Sequence, residues 1–140
     1  MGQTSVANSK VVYQRFKEIF HGPAFQELQA AGAARQRLLW ASTSTKNPAY
    51  ADTLYVDQLI GPETVNTMPP GTIEAFRDHG RLANTLEQEV DKAWELLDNL
   101  AELHINLDDI TEQLQIEGVI AFEKAFDALL DTIAAKRSNL

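Results

Sequence analysis

Arg37-Leu38-Leu39-Trp40-Ala41-Ser42-Thr43-Ser44-Thr45-Lys46-Asn47-Pro48 is the stretch on which the fold turns. A basic residue leads into a short, nearly continuous apolar run, and a hydroxyl-rich segment closed by Asn-Pro leads out of it. Runs of this kind mark strands buried on both faces, and such strands belong to parallel sheets covered by helices. Downstream, Thr64-Val65-Asn66-Thr67-Met68 reads as a second short strand, rich in β-branched residues and stopped by Pro69-Pro70. Between the two, Ala51 to Ile60 fits helix or strand by periodicity, and a helix closed by Gly61-Pro62 is the better fit.

Working outward, the flanks are helical. Ser5 to Phe20 places Val12, Phe16, Ile19 and Phe20 at helical spacing and stops at His21-Gly22-Pro23. A short helix follows from Pro23 to Ala31, burying Phe25 and Leu28 before Gly32. On the other side, Thr72 to His79 reads as a helix with Thr72 as N-cap and Gly80 past its end. Thr85-Leu86-Glu87-Gln88 has the form of a capping box opening a helix to about Leu103, with Val90, Trp94, Leu97 and Ala101 on one stripe. Asp108 and Asp109 begin the last helical stretch, which Gly118 is expected to break, and Val119, Phe122, Phe126, Leu129 and Ile133 carry an apolar face onward. These C-terminal helices are expected to pack on one another through Trp94, Leu97, Phe122, Phe126 and Leu129. Strands alternating with helices argue for an α/β fold with parallel neighbours. Two strands fall short of the three that an independent sheet needs, so the pattern reads as part of something larger.

Composition narrows the function classes. The 140 residues fit one domain, and 44% hydrophobic with 23% charged residues is a globular composition rather than a disordered one. No apolar run approaches the roughly 20 residues that span a bilayer, and Met1 to Ser5 lacks the start of a signal peptide. Without cysteine there is no disulfide, thiolate zinc site or cysteine nucleophile. Residues 1–70 hold six basic against five acidic side chains, and residues 71–140 hold six against fifteen, for −8 overall. The acidic second half repels phosphodiesters and anionic lipids, which argues against nucleic acid or a membrane as the main partner.

Few residues carry chemistry. His21, His79 and His104 stand apart near helix ends without a ligand partner at helical spacing, so capping or surface roles are expected rather than metal. The acidic series from Glu87 to Asp131 reads as a solvated face, and Trp40 and Trp94 as core. Lys10, Lys17, Lys92, Lys124 and Lys136 lie on polar helices and are expected to be solvated, hence poor nucleophiles. By composition alone, Ser42 to Asn47 is an ordinary Ser/Thr-rich loop or an anion-binding one.

Arg37 to Pro48, followed by Tyr55-Val56, Leu59-Ile60-Gly61-Pro62, Val65-Asn66-Thr67-Met68-Pro69 and Phe76-Arg77-Asp78-His79-Gly80, closely resembles transaldolase of the longer bacterial type. Val6-Ala7-Asn8 leading to Tyr13-Gln14 looks like that family's helix after its sixth strand. Asp108-Asp109-Ile110-Thr111 with Gln113-Leu114, and Glu117-Gly118-Val119 leading to Phe126-Asp127-Ala128-Leu129-Leu130, look like its final helices. The resemblance covers essentially the whole chain. It implies an incomplete C-terminal part of a (β/α)8 TIM barrel, predominantly helical with two short parallel strands, residues 1–140 forming a single partial domain. Arg37–Ser42 would be strand seven and Thr64–Met68 strand eight.

The family transfers a dihydroxyacetone unit between sugar phosphates through a lysine Schiff base, in the cytoplasmic pentose phosphate pathway, with no metal or organic cofactor. Its Schiff-base lysine and its acid/base aspartate and glutamate belong to strands four, one and three, which have no counterpart here. The chain alone is therefore expected to be inactive, with no catalytic residue of its own. A serine and a basic residue after strand seven bind the sugar phosphate in the family, and the matching positions are Ser44 and Lys46. Lysine would act there as a point charge, without the bidentate fork of an arginine. The open strand edges imply possible self-association. The competing expectation is a non-catalytic helical interaction or assembly module that uses the apolar faces of the last helices, and the coding sequence upstream of Met1 would separate the two.

Overall fold

In the computed structural model, which describes residues 2–138, β1 (Leu38–Trp40) and β2 (Thr64–Asn66) form a two-stranded parallel sheet. Leu38 pairs with Thr64, Leu39 with Val65 and Trp40 with Asn66. Both strands are shorter than their sequence suggests, because beyond Trp40 and Thr67 the two segments are joined through side chains rather than by ladder pairing. Thr67 N–H donates to the Trp40 carbonyl at 3.0 Å, and the buried Thr43 hydroxyl donates to Asn66 Oδ1 at 2.8 Å. The expectation of a strand buried on both faces fails at Leu39, which is 53% exposed. Trp40 points into the core and Leu39 to the opposite side, since strand side chains alternate.

The helices are, in chain order, α1 (Gln3–Phe20), α2 (Pro23–Ala30), α3 (Leu54–Gln58), α4 (Pro70–His79), α5 (Val90–Glu102) and α6 (Leu107–Ser138). The molecule is thus predominantly helical with two short parallel strands. The chain divides into two compact units, residues 1–98 and 99–140.

The core of the first unit joins Val6, Tyr13 and Phe16 of α1 to Trp40, Leu59 and Leu86, flanked by Phe20, Leu38 and Tyr55. Rings continue outward as a chain, Tyr13–Phe16 at 5.9 Å, Phe16–Phe20 at 5.4 Å and Phe20–Phe25 at 4.9 Å between centroids. Val12 and Ile19 are exposed rather than buried. The inward face of α1 runs through Val6, Lys10, Tyr13 and Phe16, a helical stripe that the lysine disguises in the sequence. Lys10 is itself buried, donating Nζ to the Gln88 carbonyl at 2.8 Å, and burial lowers its pKa. Its expected solvation is thereby overturned. A second cluster packs Ala7 and Val11 against Ala93, Leu96 and Leu97.

Three helix starts depart from expectation. α4 begins at Pro70, with Pro69 as N-cap and Thr72 buried inside the helix. Proline suits the first helical position, where its missing N–H has no intrahelical use. Thr85 caps no helix: its hydroxyl donates to the Asp57 carbonyl at 2.6 Å and accepts from Ile60 N–H at 3.3 Å. Thr85 and Leu86 N–H groups both donate to the Ile60 carbonyl, at 3.1 and 3.0 Å. Glu89 then takes a left-handed φ of 55°, and α5 starts only at Val90. α6 is capped by Asn106, whose Oδ1 accepts from Asp108 N–H at 3.0 Å and Asp109 N–H at 3.4 Å.

α6 also runs unbroken through Gly118 for 32 residues. One interior glycine costs about 1 kcal/mol relative to alanine, which good helix formers on both sides outweigh. Trp94 is 39% exposed, and Phe122, Phe126 and Leu129 are more than half exposed. No described helix is long and apolar enough to cross a membrane.

Candidate functional site

Ser42 to Asn47 leaves the C-terminal end of β1, where Ser42 adopts a left-handed φ of 57° and redirects the chain. The turn is held from below by Thr43, whose side chain ties it to the end of β2. At its far end Asn47 Oδ1 accepts from Ala49 N–H at 2.9 Å, and the Asn47 carbonyl accepts from Tyr50 N–H at 3.1 Å. These contacts fix both ends of the loop.

The two residues singled out from the sequence are adjacent in space. Lys46 Nζ donates to Ser44 Oγ at 2.7 Å, with Ser44 half-buried and Lys46 exposed. Ser44 keeps its own hydroxyl hydrogen for another acceptor, and the ammonium keeps two more N–H donors. Both line an open cleft of about 510 Å³ with Leu39, Trp40, Tyr50 and Tyr55, and Ser5 and Ser9 of α1 contribute further hydroxyls. The cleft wall is mostly apolar, with one cation and a cluster of hydroxyls at one end. Such a surface suits a small polyhydroxylated ligand bearing an anionic group.

Thr43, Ser5 and Ser9 were not apparent as site residues from the sequence. Thr43 looked like one hydroxyl among several, and only its pairing across the strands to Asn66 separates it from Ser44 and Thr45. Ser5 and Ser9 are one helical turn apart, a spacing that predicts a shared face but not what the face meets.

Other ionisable groups are placed elsewhere. Lys10 lines a separate recess of about 200 Å³ with Gln3, Gln58, Glu89 and Lys92, rather than the cleft. His21 caps the end of α1 and meets Glu63 at 2.7 Å, which Arg35 also reaches at 3.3 Å. His79, in the last turn of α4, bonds Asp52 through Nε2 at 2.8 Å and Asp78 through Nδ1 at 3.1 Å. The hydrogen bond to Asp52 comes first in raising the His79 pKa, and the same bond lowers that of Asp52. Asp52 stands two residues beyond Tyr50, so the clasp anchors the segment that leaves the cleft. Among the described residues, no three His, Asp or Glu side chains converge as a metal site.

The chain is 46% identical over 141 aligned positions to a transaldolase of Trichodesmium erythraeum, covering 99% of the chain and 37% of that protein. It is 44% identical over 137 positions to transaldolase 2 of Nostoc punctiforme, covering 96% of the chain and 36% of that protein. To a transaldolase of Thiobacillus denitrificans it is 50% identical over 132 positions, covering 94% of the chain and 37% of that protein. The chain thus spans little more than a third of the length of the curated relatives it matches. The pattern that defines Transaldolase/Fructose-6-phosphate aldolase extends over residues 1–133. With that span and these identities, the chain belongs to the Transaldolase/Fructose-6-phosphate aldolase family.

Proposed function

We propose that the chain serves as the C-terminal part of a transaldolase, supplying two barrel strands, helical cover and the sugar-phosphate end of the substrate site. The observation that carries this reading is the contact of Lys46 with Ser44 in the cleft beyond the C-terminal end of β1. In (β/α)8 barrels, substrate sites are built on the loops at that end of the strands. A phosphate placed there would accept from the Lys46 ammonium and from the freed Ser44 hydroxyl, while Tyr50 and Tyr55 flank the sugar. Transfer of a dihydroxyacetone unit through a lysine Schiff base then relies on strands outside the matched region. In this reading no lysine of the chain is the nucleophile, and the chain alone is inactive. The setting is cytoplasmic sugar-phosphate metabolism, and the unpaired strand edges offer a route to association with the missing strands or with another copy.

Binding of fructose 6-phosphate and of fructose to the isotope-labelled chain, followed by NMR, tests the reading. Fructose 6-phosphate should shift the Ser44 and Lys46 amides, and fructose much less. Lys46→Ala should weaken the phosphorylated sugar about tenfold, the low end for a charged hydrogen bond because Lys46 is exposed. Equal effects of the substitution on both sugars would reject the phosphate role.

A further inference from the structure

Ser42 is the strained point of the loop that carries Ser44 and Lys46. Its φ of 57° is left-handed, and a serine keeps such a conformation only where the surrounding contacts hold it there. Before it, Trp40 is buried, pairs with Asn66 across the sheet and donates its indole N–H to the Leu59 carbonyl at 3.2 Å. After it, Thr43 is 3% exposed, while Ser42, Ser44, Thr45 and Lys46 all reach solvent.

The Thr43 hydroxyl has one hydrogen and two acceptors within reach. Asn66 Oδ1 takes it at 2.8 Å, and the Thr67 carbonyl, at 3.5 Å, is beyond the usual range. In the other direction Thr67 gives its N–H to the Trp40 carbonyl at 3.0 Å, with its hydroxyl 3.4 Å from the same oxygen. The two strand ends are therefore cross-braced, and the brace ends one residue short of Ser44. Beyond it, Lys46 donates Nζ to Ser44 Oγ at 2.7 Å. Holding a long, exposed side chain to one hydroxyl costs rotamer freedom, and only a loop whose backbone is already fixed keeps the two within reach.

We propose that Thr43 is the positioning residue of this loop: its buried hydroxyl, bonded to Asn66, holds the left-handed turn at Ser42 and presents Ser44 and Lys46 as a pre-formed pair for the substrate phosphate. The ligand half of this statement rests on the sugar-phosphate reading of the cleft, whereas the ordering of the loop does not. The one hydroxyl hydrogen of Thr43 is committed to Asn66, so Thr43 acts on a ligand through Ser44 and Lys46. A pair set in place before the ligand arrives spares binding the cost of ordering it. Valine at position 43 keeps the branched shape and removes the hydroxyl alone. Asn66 is half-buried, so water can reach the acceptor this vacates, and the sheet survives the change.

NMR of the isotope-labelled full chain carries both arms of the test. In the free protein, Thr43→Val should lower the amide order parameters of Ser44, Thr45 and Lys46 from rigid values to below about 0.6, with both strands staying near about 0.85. The Overhauser contact between the Lys46 ε and Ser44 β protons should vanish with it. Thr43→Ser, which keeps the hydroxyl, should retain the order and the contact. With ligand, Thr43→Val should weaken fructose 6-phosphate about fivefold, the worth of one neutral hydrogen bond, and leave fructose unchanged. A Lys46→Ala chain with an undiminished preference for the phosphorylated sugar overturns the phosphate reading and the ligand half of this proposal with it. Where Lys46→Ala does lose that preference, a Thr43→Val chain that keeps it overturns the positioning role alone. An ordered loop in free Thr43→Val, a disordered one in Thr43→Ser, or a loss of order spread over both strands would each overturn that role as well.

Discussion

Gly61→Ala isolates the packing that joins α3 to the segment after α4. A Cβ built on Gly61 lies 2.8 Å from Leu86 Cδ2 and 2.9 Å from Leu86 Cβ. Rotating the leucine can relieve the first contact but not the second, because Cβ is fixed by the backbone. That backbone is held in turn by the bond from Leu86 N–H to the Ile60 carbonyl at 3.0 Å. Leu86 is 0% exposed and sits in the core cluster with Tyr13, Phe16, Trp40 and Leu59, so any shift moves it against packed side chains. Gly61 is not among the residues with positive φ, so alanine suffers no backbone strain. Removing a glycine from the unfolded chain favours folding by about 0.4–1 kcal/mol, whereas overpacking costs about 1–3 kcal/mol. The steric cost wins, leaving a net loss of about 1 kcal/mol. Urea unfolding should show it as a midpoint lowered by roughly 0.5 M, taking a slope of about 2 kcal/mol per M. Part of the loss should persist in a Leu86→Ala background, because Cβ remains there. A neutral or stabilising Gly61→Ala would refute the close approach of these two backbones.

Other outcomes follow from particular contacts. Trp40→Phe removes the indole donor to the Leu59 carbonyl at 3.2 Å and leaves that oxygen without its partner, so unfolding should show a loss of about 1–2 kcal/mol. An unchanged midpoint would mean that water replaces the indole. Asn106→Ala should cost about 1 kcal/mol and speed amide exchange in the first turn of α6, while leaving exchange at α1 unaffected. Slow exchange retained at Asp108 and Asp109 would rule out the cap. The His79 clasp has a pH window. Its raised pKa gives stability that is full below the ordinary value of 6.5 and lost as pH rises through the raised value. The lowered pKa of Asp52 gives stability that is present above 3.8 and lost as pH falls through the lowered value. Asp52→Asn should move the His79 NMR titration back toward 6.5, only part of the way because Asp78 remains, and an unmoved titration would exclude the pair.

The sequence by itself determined the order of elements, both strand positions, the hydroxyl loop after β1 and the family. Those features are local: apolar run length, β-branched residues, proline and glycine stops, and a long ordered series of matching residues. Ser44 and Lys46 were singled out by the family resemblance rather than by the local pattern, and the fold sets them 2.7 Å apart on one short loop. Tertiary structure alone decided where polar residues within helices and turns belong. Lys10 has a charged side chain yet is buried because the Gln88 carbonyl comes from a segment 78 residues away. Thr85 has the spacing of a capping box but gives its hydroxyl to Asp57, because a long-range partner competes with the helix for the same donor. Leu39 makes the opposite point. Hydrophobicity requires cover and periodicity selects the face, but the amount of cover depends on which neighbours are packed there. Solvent reaches Leu39 because only the Trp40 side of the sheet packs into the helical core.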